Sequence, residues 1–379
     1  MKKVILFLLM ALLFTSCEEK VRSTAPIQQA LASPNTAVKN VFDSLSKYEV
    51  QIKFTRINRK NDSIFFKDYT FQDKPENYFY PASTVKLPIS LLALEKLNRI
   101  DDFDMNTVFY IENDSIETTV AKEITKIFAV SDNEAYNRLF EFLGQNEINI
   151  KLHKKGIENV RIAHRLSILD ADNVTTNPLV IYLNDSTLRL SEKIINKSIT
   201  PLEIENTKKG KGFYDEDDVL INEAFDFNLK NYYAVDAQHE VLKRIIFPEK
   251  FKKEEQFNLN ETQREFVLNA MSSLPKKAGY TSDEYYDSYV KFFLFGDSKE
   301  DIPKHIKIYN KVGYAYGTLT DCAYIKDTKN NIEFLLTATI LVNKNGIFND
   351  NTYEYDSIGI PFLAALGREL YHQELEVIK

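Results

Sequence analysis

Strand-like runs stand at the two ends of this chain, and helix-like runs fill its middle. "VQIKFTRIN" (50–58) and "SIFFKDYTF" (63–71) alternate apolar and polar residues around the polar turn "RKND". Far downstream, "HIKIYNKVGYAYG" (305–317), "LTDCAYIKD" (319–327) and "EFLLTATILV" (333–342) have the same strand character. Helical periodicity marks "TAVKNVFDSLSKY" (36–48) and "YDSIGIPFLAALGRELYHQEL" (355–375) outside these strands. A chain ordered this way closes most economically as one mainly antiparallel sheet built from both ends. The terminal helices pack on one face, and the middle forms a helical lobe. The fold class expected is therefore α/β, in the sense of α+β. The expected catalytic or binding cleft lies at the lobe boundary.

Between these ends, "DNEAYNRLFEFLG" (132–144) predicts a helix closed by Gly144, and "NETQREFVLNAMSSLP" (260–275) one capped by Asn260. Residues 179–258 have weaker periodicity. "LVIYLNDSTLRLS" reads as a hairpin around Asn184-Asp185, and "IENTKKGKGFYDEDD" (204–218) as an exposed loop of mixed charge.

The N-terminal "MKKVILFLLMALLFTSC" joins a basic start to an apolar run too short to span a bilayer. It reads as a signal peptide over residues 1–16. "FTSC" resembles the lipobox of bacterial lipoproteins, with Phe14 where leucine is usual. Cys17 would then be the lipidation site, residues 17–36 a tether, and 37–375 the folded domain. A membrane-anchored protein of the cell envelope follows, facing the periplasm or the surface. Cys322 is then the sole unmodified cysteine, so no intramolecular disulfide is expected.

The formal net charge of −7 and the absence of a long basic run argue against nucleic-acid binding. His153, His164, His239, His305 and His372 lack metal-ligand spacing, so no metal is expected. No Gly-rich phosphate loop occurs and no cofactor is expected; the expected partner is a small-molecule or peptide amide, met by a monomer.

Ser83 and Lys86 stand where an aromatic loop meets an apolar helical run, "YFYPASTVKLPISLLALEKL". Residues three apart share a helix face, and a first turn carries unpaired N–H groups that favour developing negative charge. The spacing alone proves little, because Ser44/Lys47, Ser273/Lys276 and Ser288/Lys291 repeat it. Ser83 or Thr84 could equally serve as a helix cap. Two further signals follow in order. Ser131, Asp132 and Asn133 precede the helix of "VSDNEAYNRL", and Lys311, Val312 and Gly313 lie in a strand-like run.

In that order and context, S-x-x-K, S-D-N and K-x-G resemble the motifs of penicillin-recognising serine hydrolases, most nearly class A β-lactamases and related penicillin-binding proteins. The resemblance spans about residues 37–374, with 179–258 unmatched. It implies a β-lactamase/transpeptidase-like fold and assigns catalytic roles to Ser83, Lys86, Ser131 and Lys311. Ser83 is the implied nucleophile and Lys86 its base, with a proton affinity lowered by burial and by Lys311. Ser131 relays a proton to the leaving nitrogen, and Lys311 orients Ser131 and attracts substrate charge. Asn133, Val312, Gly313 and Tyr314 are the implied substrate-binding positions. Backbone N–H groups of Ser83 and Tyr314 would form the oxyanion hole, and Gly313 would let substrate lie against the strand.

The chain also departs from that pattern. Val312 and Tyr314 lack hydroxyls suited to a substrate carboxylate, and "GTLTDCAYIKD" lacks the usual arginine. The stretch "IAHRLSILDADNVTTNPL" (162–179) corresponds to the loop that carries the deacylating glutamate in class A enzymes, yet it has none. Asp170 and Asp172 read as turn residues. The expected function is acylation of Ser83 by a β-lactam or similar cyclic amide, with slow deacylation. A penicillin-binding-protein-like peptidase or esterase, and a non-catalytic envelope-binding lipoprotein, are the alternatives.

Overall fold

A computed structural model describes residues 26–378 apart from Asp62. The expected signal peptide and Cys17 lie outside the described residues. The chain opens with two short helices, α1 (Pro26–Leu31) and α2 (Thr36–Phe42). Strands β1 (Gln51–Lys60) and β2 (Ser63–Phe71) form the first hairpin. The lobe contributes α3 (Lys86–Leu97), α4 (Val120–Val130), α5 (Asn133–Leu143) and α6 (Gln145–Lys154). Helices α7 (Val235–Ile246) and α8 (Glu261–Ser272) follow. Strands β3 (Ile306–Ala315), β4 (Thr318–Asp327) and β5 (Ile332–Leu341) precede the last helix, α9 (Ile360–Ile378).

The five strands form one antiparallel sheet in the order β3-β4-β5-β1-β2, assembled from both ends of the chain. Side-chain alternation divides its two faces. From β4, Leu319, Ala323 and Ile325 join Val38, Phe334 and Leu366 beneath α1, α2 and α9. Cys322 and Tyr324 point the other way, into the core formed with α3, α4, α5, α7 and α8. Both faces being covered explains why β4 is buried almost throughout. The bidentate pair of Arg56 with Glu374 (2.6–3.0 Å) pins α9 to β1.

Two expectations need correction. Residues 26–31 are not tether: Pro26, Ile27, Ala30 and Leu31 are buried, and α1 packs on α9. The sequence there is polar at only one helix face, and its apolar residues find their partner some 340 residues away, beyond the reach of local pattern. Nor is 179–258 simply an unmatched insertion. The hairpin around Asn184-Asp185 is present, but α7 packs on β1, β4 and β5 and buries Val235, Val241, Leu242 and Ile245. Residues 213–233 also build an aromatic cluster in which Phe227 meets Tyr78, Tyr80, Tyr316 and Phe348 at ring-centroid distances of 5.4–5.8 Å.

Candidate active site

That aromatic cluster bears on the chain just before Ser83. Tyr78 and Tyr80 are buried in it, and Ala82 follows with φ at 47°. A left-handed conformation costs a non-glycine residue about 1–2 kcal/mol, so the packing around it must hold it there. Ser83 then lies in a 3-10 turn, Ala82–Val85, and α3 begins only at Lys86. Neither Ser83 nor Thr84 caps the helix; Thr84 Oγ1 donates instead to Pro81 O at 2.7 Å. Pro88 falls in the first turn of α3, where a missing N–H is tolerated.

The S-D-N segment bridges two helices. Ser131 terminates α4 in the left-handed region (φ 58°), which a serine adopts here with its N–H bonded to Ile127 O. Asp132 caps α5, accepting from Ala135 N at 2.7 Å, and Asn133 opens that helix. Lys86 Nζ donates to Ser131 O (2.5 Å) and Asn133 Oδ1 (2.7 Å), and it lies 3.4 Å from Ser131 Oγ. Lys311 Nζ reaches the same Ser131 Oγ at 2.8 Å and also donates to Val312 O. One hydroxyl thus stands between two amines from opposite ends of the chain.

Burial governs both amines. It lowers Lys86 from its ordinary 10.5 to about 7, with Asp132 opposing the shift. Burial also holds Lys311 well below its usual range, reinforced by Lys86 and Lys291 and opposed by Asp321. For Lys86 removal from water, one of the two expected causes, is the largest, and the two buried amines disfavour each other's charge. A neutral Lys86 can accept a proton, which is what a serine nucleophile requires of its neighbour.

Two strand positions differ from expectation. Val312 is buried beneath the terminal helices, because alternation along β3 sends it away from Lys311 and Gly313. Its side chain therefore presents no surface to a substrate. Gly313 is needed by the protein itself: a Cβ there would stand 2.7 Å from Pro81 O, 2.9 Å from Ser83 N and 3.0 Å from Thr84 N. The strand lies directly against the Ser83 turn. Tyr314 alternates onto the same face as Val312, is 55% exposed and stands edge-on to Tyr355, so its ring also points away from Lys311 and Gly313.

The 162–179 loop is held to α5 by side chains of which sequence reasoning had singled out only Asn133. Asn133 Nδ2 donates to Ser167 Oγ at 2.9 Å. Asn137 clamps both backbone groups of Leu166 (2.8 and 2.9 Å). Glu141 pairs with buried Arg165, which also binds Asn173 O and Thr175 O, each at 2.7 Å. The signal was present as a polar stripe, Asn133, Asn137 and Glu141, spaced by four along α5. Asp170 and Asp172 are exposed in the turn, and Glu134 is paired with Arg138. Among the described residues, no carboxylate hydrogen-bonds to Lys86 or Asn133.

The comparisons agree with this architecture. A family model described as the beta-lactamase enzyme family matches residues 34–372. No curated protein matches the sequence. Among solved structures, a beta-lactamase from Sphaerobacter thermophilus DSM 20745 superposes with a TM-score of 0.50 at 10% identity, covering 92% of this chain and 96% of that one. The structure of L2 complexed with relebactam superposes equally, TM-score 0.50 at 13% identity, over 92% of this chain and 98% of the other. At such identities the superpositions show the fold. The family match extends over most of the chain, and on that ground the protein belongs to the beta-lactamase enzyme family, as a serine hydrolase.

Proposed function

We propose that this hydrolase works by a class A-type acyl-enzyme route, with Ser83 as nucleophile and a β-lactam or similar cyclic amide as substrate. The observation that carries the reading is Ser131 Oγ held between Lys86 and Lys311. Neutral Lys86 takes the Ser83 hydroxyl proton as Oγ bonds to the carbonyl carbon. The C–N bond then breaks, and the proton passes from Lys86 through Ser131 to the leaving nitrogen. The N–H groups of Ser83 and Tyr314 are proposed to receive the oxyanion. Asn133 supports Lys86 and orients substrate, although its amide also holds Ser167.

Deacylation is proposed to be slow. Water attacking the ester needs its own base, and Ser167 stands beside Asn133 where a carboxylate would serve. Loss of a general base costs about 10²–10⁴ in rate. The same observation favours a second reading, a penicillin-binding-protein-like peptidase or esterase that passes its acyl group to an acceptor other than water. Export and lipid anchoring through Cys17, as a monomer in the cell envelope, complete the proposal.

Intact-mass spectra after incubation with penicillin test it. A persistent adduct of one penicilloyl group, absent in Ser83→Ala, is expected, together with slow nitrocefin turnover. Normal labelling of Ser83→Ala would remove Ser83 as nucleophile. Fast turnover with no adduct would mean that a working base acts in the 162–179 loop.

A further inference from the structure

A cavity of about 560 Å³ opens between two segments that take no part in the chemistry above. One is the hairpin of Gly212–Tyr214 with Leu220–Ile221, and the other joins β5 to α9. Small-molecule pockets usually enclose about 300–1,000 Å³. In the joining segment, Ile347–Phe348 pairs in parallel with Gly212 and Phe213, and Lys211 N donates to Gly346 O at 2.8 Å. A Cβ at Gly210 would stand 2.5 Å from that same oxygen, so the two segments meet backbone to backbone. Ile347 lines the cavity, while Phe348 alternates into the aromatic cluster around Phe227. Asn349 Nδ2 donates to Tyr214 O at 2.9 Å, and Asn349 N donates to Tyr353 Oη at 2.9 Å. Asp350 accepts from Thr352 N (2.9 Å) and Asn345 Nδ2 (2.6 Å). Strand pairing, these bonds and core packing thus fix the walls in advance, which spares a ligand the cost of ordering them.

The polar groups left over define the ligand. Among the described residues, the Asp218 carboxylate, the Asn351 carboxamide and Asn349 Oδ1 have no hydrogen-bond partner within the protein, and all three residues line the cavity. No lysine, arginine or histidine lines it, so a phosphate or carboxylate meets no counter-charge there. Asp218 is the one lining carboxylate still free of donors, too few for a calcium ion that takes about six to eight oxygen ligands. An exposed ion pair between it and an organic cation would add little. Leu220 and Ile347 are the only aliphatic side chains of the lining, so a purely apolar ligand would strip water from polar groups and give nothing in return. What fits is a neutral molecule rich in hydroxyls. Each sugar hydroxyl both donates and accepts; a carboxylate accepts from them, and a carboxamide supplies one donor edge and one acceptor. The Tyr214 ring and Leu220 add apolar surface for the C–H face of a sugar ring. We propose that this cavity is a second binding site, separate from the Ser83 cleft, for a neutral oligosaccharide.

Calorimetric titration of the full-length protein with chitotetraose and with maltotetraose tests it. Saturable binding of at least one tetrasaccharide is expected. Asp218→Ala and Asn351→Ala each remove one wall group, and both positions are exposed, so the melting temperature should not move. Each should weaken the sugar about tenfold, as loss of a hydrogen bond to a well-placed group does. A weaker sugar in either variant supports the site, and unchanged affinity in both overturns it. Binding should persist in Ser83→Ala; its loss there would place the sugar in the nucleophile cleft and overturn the proposal. Absence of binding by both tetrasaccharides overturns it too. Calcium chloride and spermidine are titrated in parallel. A response to either that Asp218→Ala removes, without sugar binding, would make the cavity a cation site instead, which also overturns the proposal.

Discussion

Lys86 must be buried to act as a base, and the same burial makes it a liability to the fold. Its proton affinity falls from 10.5 to about 7 on folding. The acylation rate should therefore rise about tenfold per pH unit below pH 7 and flatten above it, since only the neutral amine accepts a proton. Lys86→Arg keeps its charge throughout and should acylate about 10²–10⁴-fold more slowly, with no inflection near pH 7. An unchanged inflection would assign it to another group. Stability has a matching sign. Between pH 7 and 10.5 the unfolded chain holds a proton that the folded chain releases, so this residue's contribution improves as pH rises through that window and is least favourable below it.

Phe227 shows how an element far along the chain supports the nucleophile. It is 1% exposed and packs on both Tyr78 and Tyr80, just ahead of the strained Ala82. Phe227→Ala should cost about 3–5 kcal/mol of stability, the usual range for a buried phenylalanine. It should also slow Ser83 labelling in the protein that remains folded, because the turn loses its buttress. Denaturant titration and labelling rate measured on the same sample separate the two effects. An unaltered rate would leave Phe227 a core residue only. This support was illegible in the sequence, where residues 213–233 show no clear pattern. Their aromatic residues have no helix or strand period, and their partners come from other segments. The five sheet strands and α5, α8 and α9 were legible because period and capping residues agree locally. Ser83, Lys86, Ser131, Asn133 and Lys311 could be singled out by motif, and the fold brings Lys86, Ser131, Asn133 and Lys311 into contact. Ser167 could not, since its bond to Asn133 crosses between a loop and a helix start. Val312 was misjudged because reading a motif as a unit ignores the alternation of a strand.

At the scale of the whole molecule, the proposed anchor and the described domain meet at α1. Cys17→Ser should shift the protein from the membrane fraction to the soluble fraction, and labelling by a soluble penicillin should persist in the released form. Retention in the membrane fraction would refute lipidation at that residue. Such an anchor would have little slack. Helix α1 starts at Pro26, whose carbonyl accepts from Gln373 of α9 at 3.1 Å. Fully extended, the link from Cys17 to Pro26 reaches only about 30 Å. It joins the terminal-helix face of the sheet, and Lys86 and Ser131 lie across the sheet from that face. An enzyme leashed so closely gains nothing against freely diffusing molecules. Against chains themselves confined to the envelope it searches a thin layer, where its effective concentration is set by the leash and not by the cell volume.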